Sequence, residues 1–260
     1  MKEKNISILL QIMLGFVLIQ GVASARPLIP ELEGEGMKAV QKGDGGSRAN
    51  FFDLDSIDPD FPRKYLRWGY RTPEFIRWFI DYQNWDRKYL SYFKRHYNEH
   101  SLTFTPSMIV MHYTVIPTAE ATWGSFQRNK VSVQLMIAKD ATVFQLMPLN
   151  RRCNGAYGVN HKALSIEMVA RTEDDLLSRP EQVFASFCLV KYLMALYDIP
   201  LENVVAHSEV GEGVTRVPQY LDLADPYYPT RYPPWSRRTD PGNTYMRWLR
   251  TYLQAEPTQP

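Results

Sequence analysis

The sequence predicts an α/β fold in which helices flank a central mixed β-sheet, with a helical extension on its N-terminal side. Three observations support this prediction. Short apolar runs of strand length alternate with helical patterns between residues 101 and 255. Two of the runs flank Lys139-Asp140, which is typical of a turn between paired strands. An amphipathic helix pattern begins at Pro180, and such helices cover at least one face of a sheet.

The composition is that of an ordinary globular protein. The chain has 260 residues, of which 45% are hydrophobic and 22% are charged, so it can bury a substantial core. Its formal net charge is +2, and Lys2, Glu3 and Lys4 supply +1 of this, which leaves +1 for the rest. A nearly neutral chain gives no electrostatic reason to expect a nucleic-acid partner.

The N-terminus has the pattern of a secretory signal peptide. Lys2 and Lys4 precede an apolar stretch from Ile6 to Val22, and Ala23-Ser24-Ala25 places small residues at a cleavage spacing. We therefore expect residues 1–25 to be removed and the protein to be exported, to a periplasmic or extracellular location. The alternative is an uncleaved membrane anchor, because the stretch approaches spanning length. After removal of the signal, the sequence predicts no stable membrane span.

Two further parts precede the main domain. Residues 26–50 are predicted to be a linker, because their glycine-rich runs cannot bury a core. Residues 51–100 are predicted to form the N-terminal helical extension, with a helix start at Thr72-Pro73-Glu74. An apolar stripe at helical spacing follows, formed by Phe75, Ile76, Phe79, Ile80, Tyr82, Trp85, Tyr89 and Phe93.

Residues 101–255 are predicted to form one domain of strands and helices. The expected strands are Met108–Tyr113, Val131–Ile137, Thr142–Leu146, Leu164–Val169 and Val204–Ala206. The expected helices are Ala119–Gln127, one that begins at Pro180, and Thr244–Leu253. Residues 208–237 interrupt the pattern with prolines and aromatic residues. So long a loop is either functional, with rings that stack on sugar faces, or a packed excursion.

Cysteine usage leaves two alternatives open. Cys153 and Cys188 are the two cysteines of the chain. In an exported protein they can form a disulfide, but Cys188 lies within the helix pattern that begins at Pro180, where a free buried thiol is equally reasonable. The spacing excludes a cysteine-rich metal site.

Two histidines and one aspartate indicate a metal site. His112 closes the apolar run that begins at Met108, and His207 closes the run Val204–Ala206. Asp240 lies in the turn sequence Asp240-Pro241-Gly242. Ligands at the ends of α/β strands meet at one edge of the sheet. Two imidazoles and a carboxylate with an open fourth position are the ligands of a catalytic zinc site, so we expect Zn²⁺ and attack by zinc-activated water.

Glu167 is the candidate general base. It lies in the predicted strand Leu164–Val169, on the face opposite Leu164, Ile166 and Met168. A carboxylate inside such a strand is rarely buried without a partner. It is either half of a structural ion pair, with Lys162, or a proton shuttle beside the metal whose pKa is raised by partial burial. Two histidines at neighbouring strand ends favour the second interpretation.

Four segments of the sequence resemble one family in composition and in order. Ile109-Val110-Met111-His112-Tyr113-Thr114 resembles the first ligand strand of the zinc-dependent N-acetylmuramoyl-L-alanine amidases, which share a fold with the peptidoglycan recognition proteins. Ala163-Leu164-Ser165-Ile166-Glu167 resembles their glutamate strand. Ala206-His207-Ser208-Glu209 and Arg238-Thr239-Asp240-Pro241-Gly242 resemble their last two ligand motifs. The resemblance covers residues 105–250.

The resemblance implies a function and a set of site residues. His112, His207 and Asp240 are expected to bind zinc, Glu167 to act as catalytic acid and base, and Arg238 to stabilise the oxyanion. The expected reaction is hydrolysis of the amide bond between N-acetylmuramic acid and L-alanine, with peptidoglycan or a muropeptide as substrate. The expected fold is the sheet and helices of the peptidoglycan recognition proteins.

The chain departs from the family pattern in ways that bear on substrate range. Arg238 stands where the family usually has lysine, Ser165 where it has glycine, and Gln134 where a histidine is frequent. Cys153-Asn154-Gly155-Ala156 replaces a Trp-His-Ala-Gly segment. The separation of His207 from Asp240 is longer than in compact members.

Two other functions remain as alternatives. His96-Tyr97-Asn98-Glu99-His100 fits the H-x-x-E-H pattern of inverzincin metallopeptidases, although no clear downstream helix supplies a further glutamate ligand. The other alternative is an exported protein that binds peptidoglycan without cutting it, since some relatives do so. The third ligand candidate, Asp240, favours the enzyme. His161 is interpreted as a surface-loop residue without a role.

Overall fold

Six strands form a single mixed sheet. They are β1 (Phe75–Arg77), β2 (Met108–Tyr113), β3 (Leu135–Ile137), β4 (Val143–Gln145), β5 (Ala163–Met168) and β6 (Val204–Ala206), in the order β1-β4-β3-β5-β2-β6. Among them β3 and β4 are antiparallel, and all other neighbours are parallel. The structure is a computed structural model that describes residues 59–211 and 238–255. The predicted α/β class with a mixed sheet is confirmed.

Several predicted segments lie outside the described residues. They are the signal segment 1–25, the linker 26–50, the first part of the extension (51–58), and 212–237 of the proline-rich and aromatic segment. Within the described part of the chain, no helix combines the length and the apolar character needed to cross a bilayer.

Helices pack on both faces of the sheet. They are α1 (Lys64–Trp68), α2 (Asp86–Tyr97), α3 (Ala119–Asn129), α4 (Glu173–Leu177), α5 (Pro180–Tyr197), α6 (His207–Gly211) and α7 (Asn243–Gln254), with 3₁₀ turns at Gln83–Trp85 and Leu201–Asn203. One hydrophobic core joins α1, α5 and α7 to the face of β3 that carries Leu135 and Ile137. A second core joins α2 and α3 to the opposite face, which carries Met136. The sheet is therefore a middle layer.

Helix α5 begins at Pro180, as its sequence predicts. Pro180 occupies the first turn, where its missing N–H costs nothing, and Asp198 ends the helix in the left-handed conformation. Burial extends around most of the helix rather than along one stripe, because the rings of α1 and α7 pack on the side away from the sheet. Tyr65 of α1 and Tyr252 of α7 both contact the ring of Phe187.

The predicted hairpin is confirmed, with shorter strands than expected. The strands β3 and β4 pair from Leu135 opposite Gln145 to Ile137 opposite Val143. The Asp140 carboxylate accepts a hydrogen bond from the Thr142 N–H in the turn (3.0 Å). This hairpin reverses the chain, so that β4 and its parallel neighbour β1 run opposite to the other four strands.

The prediction of a helix that starts at Thr72-Pro73-Glu74 is wrong. Residues 75–77 form β1, which pairs in parallel with β4, with Phe75 opposite Val143. The helical part of the predicted stripe starts later, at Asp86, and buries Tyr89 and Phe93 as expected. Spacing alone misled here because β4 has an open edge, and the backbone hydrogen bonds gained there outweigh local preference. The extension thus contributes a strand to the sheet of the main domain.

Both cysteines are free and buried. Cys188 lies within α5, 3.7 Å from the Tyr252 hydroxyl. Burial raises the pKa of the Cys153 thiol to about 12, and a hydrogen bond with Ser132 and the charge of Arg151 oppose this only partly. Of the two alternatives the sequence leaves open, the structure has the free thiols.

Candidate metal centre

The alternation of side chains along three neighbouring strands brings the predicted site residues to one face. In β2 the residues Met108 and Val110 face the same small core as Val205 of β6. His112 continues the series of β2 by a step of two and so projects from the same face. His207, the first residue of α6, directly follows β6 and has its ring in contact with that of His112. Glu167 of β5 pairs with His112 in parallel register, and side chains of paired residues share a face.

Asp240 closes the group from a separate part of the chain. Its Oδ2 atom lies 3.2 Å from His112 Nδ1 and 3.0 Å from His207 Nδ1. The two imidazole rings meet edge to face, with centroids 4.4 Å apart. Within the described ranges these three residues are the one group of histidine, cysteine or carboxylate side chains that can hold a metal ion, with ligand atoms within 4.8 Å of one another.

The donor set fits a zinc ion. Two imidazole nitrogens and one carboxylate oxygen match a catalytic site, which needs three protein ligands and an open position. Metal–ligand bonds of about 2.0–2.1 Å in a tetrahedron place neighbouring ligand atoms about 3.3 Å apart. The measured contacts of 3.0 and 3.2 Å come close to that spacing. His112 also has a buried Nε2 atom without a hydrogen-bond partner in the described structure.

The charges at the centre favour an ionised aspartate. Burial raises the pKa of Asp240, but hydrogen bonds from His112 and His207 and the charges of the two rings outweigh it. The pKa therefore ends well below its usual range. An ionised carboxylate is the form that binds a cation.

Glu167 has the opposite environment. Burial raises the pKa of its carboxyl to about 7; the nearby His112 and Arg238 lower it, and Asp240 raises it further. One carboxylate oxygen, Oε2, is buried without a hydrogen-bond partner among the described residues. Arg238 is exposed and acts on Glu167 through its charge. The structure thus brings all five predicted site residues to one region, where the pKa of Asp240 is lowered and that of Glu167 is raised to about 7.

The chain around Asp240 is held by contacts that the sequence reasoning missed. The Ser208 N–H, next to His207, donates to the Asp240 carbonyl (3.0 Å). The Tyr113 hydroxyl, next to His112, lies 3.3 Å from Thr239 Oγ1. The residues next to His207 and His112 are therefore both hydrogen-bonded to the segment that carries Asp240. No local pattern reports such pairs, because they join segments far apart in sequence.

Glu173 anchors the start of α7, just after Asp240. Its Oε1 accepts the Tyr245 N–H (2.8 Å), and its carboxyl packs against Gly242, where a Cβ atom would overlap it. Gly242 has φ +107°, a conformation open to glycine but strained for other residues. The only local signal for Glu173 was its place in the first turn of α4, where an acidic residue is common.

Two departures from the family pattern lie in the interior and contact each other. Gln134 is fully buried; its Oε1 accepts the Ser165 N–H (2.8 Å) and its Nε2 donates to the Arg151 carbonyl (2.8 Å). A Cβ atom on Gly155 would lie 2.8 Å from Ser165 Oγ, so this glycine gives the serine its space. Gln134 and Ser165 are thus packing partners in the interior. None of these contacts supports the expectation that the two departures affect substrate range.

The H-x-x-E-H segment does not form a metal site. Helix α2 ends at Tyr97, and Asn98 turns the chain into the left-handed conformation. Glu99 pairs with Arg152 (2.7 Å), His96 is buried against the ring of Tyr92, and His100 is exposed. The pattern requires a continuous helix to gather its ligands, and that helix stops too early.

The interpretation of His161 as a surface residue is wrong. Its ring stacks on Tyr97 (centroids 4.6 Å apart), and its Nδ1 atom is buried. Burial, with the charges of Lys162 and Arg152, lowers its pKa to about 4. No local pattern indicates this contact, because Tyr97 is distant in the chain.

One family of known proteins matches the chain over the region that contains this site. Residues 103–243, more than half of the chain, match the family described as N-acetylmuramoyl-L-alanine amidase. Among curated proteins, none matches the chain significantly.

Several solved structures are similar to this chain. The N-acetylmuramoyl-L-alanine amidase LysC from Clostridium intestinale is 24% identical, with 54% of this chain and 85% of that one covered and a TM-score of 0.41. A mutant endolysin from Bacillus subtilis is 18% identical, with coverages of 68% and 99% and a TM-score of 0.41. The amidase AmiD from E. coli, in complex with a muropeptide substrate, is 20% identical, with coverages of 43% and 51% and a TM-score of 0.36. Because these scores are below 0.5, the family assignment rests on the sequence match.

Replacing Gly242 by alanine should destabilise the metal-free protein more than the same change at Gly69. Both glycines have positive φ, but only at Gly242 would the new Cβ meet another side chain, that of Glu173. We expect a loss of about 1–3 kcal/mol from backbone strain at either position, and at least about 1 kcal/mol more at Gly242 from overlap. Urea unfolding of the two variants measures this difference. Equal losses would show that Glu173 does not pack against this turn.

Proposed function

This chain belongs to the N-acetylmuramoyl-L-alanine amidase family, and we propose that it is an exported enzyme that uses Zn²⁺ held by His112, His207 and Asp240. The family match gives the enzyme class, a peptidoglycan amidase. The zinc part of the proposal rests on one observation, the convergence of two imidazoles on one Asp240 oxygen. The substrate is peptidoglycan or a muropeptide derived from it.

The proposed reaction hydrolyses the amide bond between N-acetylmuramic acid and L-alanine. Zn²⁺ bound at the three ligands supplies a Lewis acid that activates water and polarises the carbonyl. Glu167 takes one proton from the attacking water and returns it to the leaving nitrogen. The products are a carboxylic acid on the sugar and a free amino group on L-alanine, so atoms and charge balance.

The environment of Glu167 suits both halves of this proton transfer. A carboxyl with pKa about 7 is present in both protonation states near neutral pH, so it can accept a proton and give it back. Its parallel pairing with His112 keeps it beside the ligands. A lysine in place of Glu167 would remove the base and place a positive charge next to the bound cation.

Arg238 is proposed to stabilise the negative charge that develops on the carbonyl oxygen. It is exposed, two residues before Asp240, and its charge acts on Glu167. An exposed guanidinium can reach a substrate oxygen, and its planar fork offers two parallel donors where the lysine usual in the family offers a point charge.

Export of the protein is also a proposal. Its support is the N-terminal pattern, in which Lys2 and Lys4 precede an apolar stretch and Ala23-Ser24-Ala25 ends it. An amidase acting on the cell wall needs to reach the far side of the cytoplasmic membrane, so a cleaved signal agrees with the enzyme class.

Sequencing the N-terminus of the protein recovered from the periplasmic or culture fraction tests export. Cleavage after Ala25 gives a chain that begins at Arg26. Recovery of the chain with an intact N-terminus in the membrane fraction would favour the anchored alternative instead.

Replacing Glu167 should stop catalysis without releasing the metal. We expect the mature protein to release peptides with free L-alanine N-termini from purified sacculi, and Glu167→Ala and Glu167→Gln to slow this by about 10²–10⁴-fold. Zinc content should stay at the wild-type level in both variants, because Glu167 is not a proposed ligand. Binding of wild-type protein to sacculi without any new amino group would instead support the peptidoglycan-binding alternative.

Metal analysis separates the two candidate zinc sites. The His112→Ala variant should lose most of its bound zinc and its activity. Wild-type protein treated with a chelator should lose both as well. Added Zn²⁺ should restore activity only in the wild type. The matched control replaces His96 and His100 together by alanine and should keep both. If the control loses zinc while His112→Ala retains it, the metal lies at the H-x-x-E-H segment.

A further inference from the structure

One end of the candidate metal centre is weakly supported by its own secondary structure. His207 follows β6, a strand of three residues at the edge of the sheet, and begins α6, a helix of five residues. Asp240, its partner at 3.0 Å, lies 33 residues further along the chain. Elements this short cannot hold a ligand to the precision that a metal requires, so other contacts have to fix its place.

Glu209 and Arg250 supply such contacts. Glu209 Oε2 accepts the N–H of Ala206, the residue before His207, at 2.8 Å. The same carboxylate receives both arms of the Arg250 guanidinium, at 3.0 Å on Oε1 and 2.7 Å on Oε2. Arg250 Nη2 also donates to the carbonyl of Val204, the first residue of β6 (3.1 Å). The strand that precedes His207 is therefore held at both ends by hydrogen bonds.

Arg250 belongs to the helix that leads out of Asp240. Helix α7 begins at Asn243, three residues after Asp240, and Arg250 lies seven residues further on, about 10 Å along the axis. Between them Tyr245, Met246 and Leu249 are buried in the main core, and Glu173 holds the first turn. The helix is thus a rigid element with one ligand at its start and the clamp on the other ligand in its third turn.

We propose that Glu209 and Arg250 are positioning residues, whose ion pair sets the distance between His207 and Asp240 and thereby the affinity of the centre for its metal. This inference rests on the proposed zinc function. Neither residue contacts the reacting atoms. Glu209 is already engaged by a backbone N–H and a bidentate guanidinium, so it is not a further ligand.

A purely structural ion pair would behave differently. Arg250 is 35% and Glu209 18% exposed, and an ion pair this near the surface contributes only modestly to global stability even with bidentate geometry. Partners that orient metal ligands from behind, in contrast, change metal affinity by about 10–100-fold when they are removed. The proposal therefore predicts a large effect on zinc binding with a small effect on unfolding.

The test measures zinc affinity by competition with a fluorescent chelator, on the full mature chain. The variants are Arg250→Met, Arg250→Lys and Glu209→Gln. The control is Asp86→Asn, which removes the charge of Asp86, the first residue of α2, from its ion pair with Arg151, away from the ligand segments. Urea unfolding of each metal-free protein shows whether any change in affinity follows from lost folding.

We expect Arg250→Met and Glu209→Gln to weaken zinc binding by about 10–100-fold and the control by less than about twofold. Arg250→Lys should fall between them, because it keeps the charge and loses the fork. The double variant Glu209→Gln/Arg250→Met should bind zinc as tightly as the single variant with the lower zinc affinity, since the pair acts as one unit. The zinc concentration that gives half-maximal activity should rise in parallel.

Two results would overturn the inference, and they are distinguishable. If the wild-type protein binds zinc tightly and Arg250→Met and Glu209→Gln bind it equally tightly, the positioning role is excluded and the proposed zinc function stands. Failure of the wild-type protein itself to bind zinc removes both. If Arg250→Met does not fold, Arg250→Lys and Glu209→Gln carry the same comparison, because each keeps the size of the side chain it replaces.

Discussion

The structure of the candidate site depends on one oxygen atom. Asp240 Oδ2 lies within hydrogen-bond distance of both imidazoles, and no other described side chain brings a third donor to the pair. The two histidines alone are only strand ends; with the carboxylate they form a set of three ligands with an open position. The carboxylate comes from a segment outside the sheet, so the contacts that hold that segment also hold the three candidate ligands together.

Much of the site could be predicted because it follows from the alternation of side chains along strands. A run such as Met108–Tyr113 is short, apolar and closed by polar residues, so its ends and the direction of His112 can be read from the sequence. The same reasoning places Glu167 on the opposite face from Leu164, Ile166 and Met168. Parallel strands then bring these residues to one edge, because their carboxyl ends coincide.

The remaining features could not be predicted because they depend on neighbours that are remote in sequence. Phe75–Arg77 has a pattern compatible with a helix, and only the open edge of β4 makes it a strand. Glu173 and Arg250 look in the sequence like ordinary surface residues of helices. Their structural roles come from hydrogen bonds to partners distant along the chain, Tyr245 for Glu173 and Glu209 for Arg250. Gln134 and Ser165 depart from the family pattern separately in sequence but form one hydrogen-bonded pair in space. Short-range periodicity carries no information about such pairs.

The cost of building the site is visible in its unsatisfied atoms. Of the five buried side-chain atoms without a hydrogen-bond partner in the described residues, two are His112 Nε2 and Glu167 Oε2, on paired residues of adjacent strands. The other three are Arg151 Nε, His161 Nδ1 and Trp248 Nε1, whereas the buried Gln134 amide is hydrogen-bonded at both ends. Two unpaired polar atoms on neighbouring strands make the fold less stable at this edge than it could be. That local cost is what keeps the carboxyl of Glu167 near pKa 7, because a donor that satisfied Oε2 would favour the ionised form and lower the pKa. Stability and the proposed proton transfer therefore make opposite demands on Glu167, and a carboxyl with one buried oxygen left unpaired suits the proposed reaction.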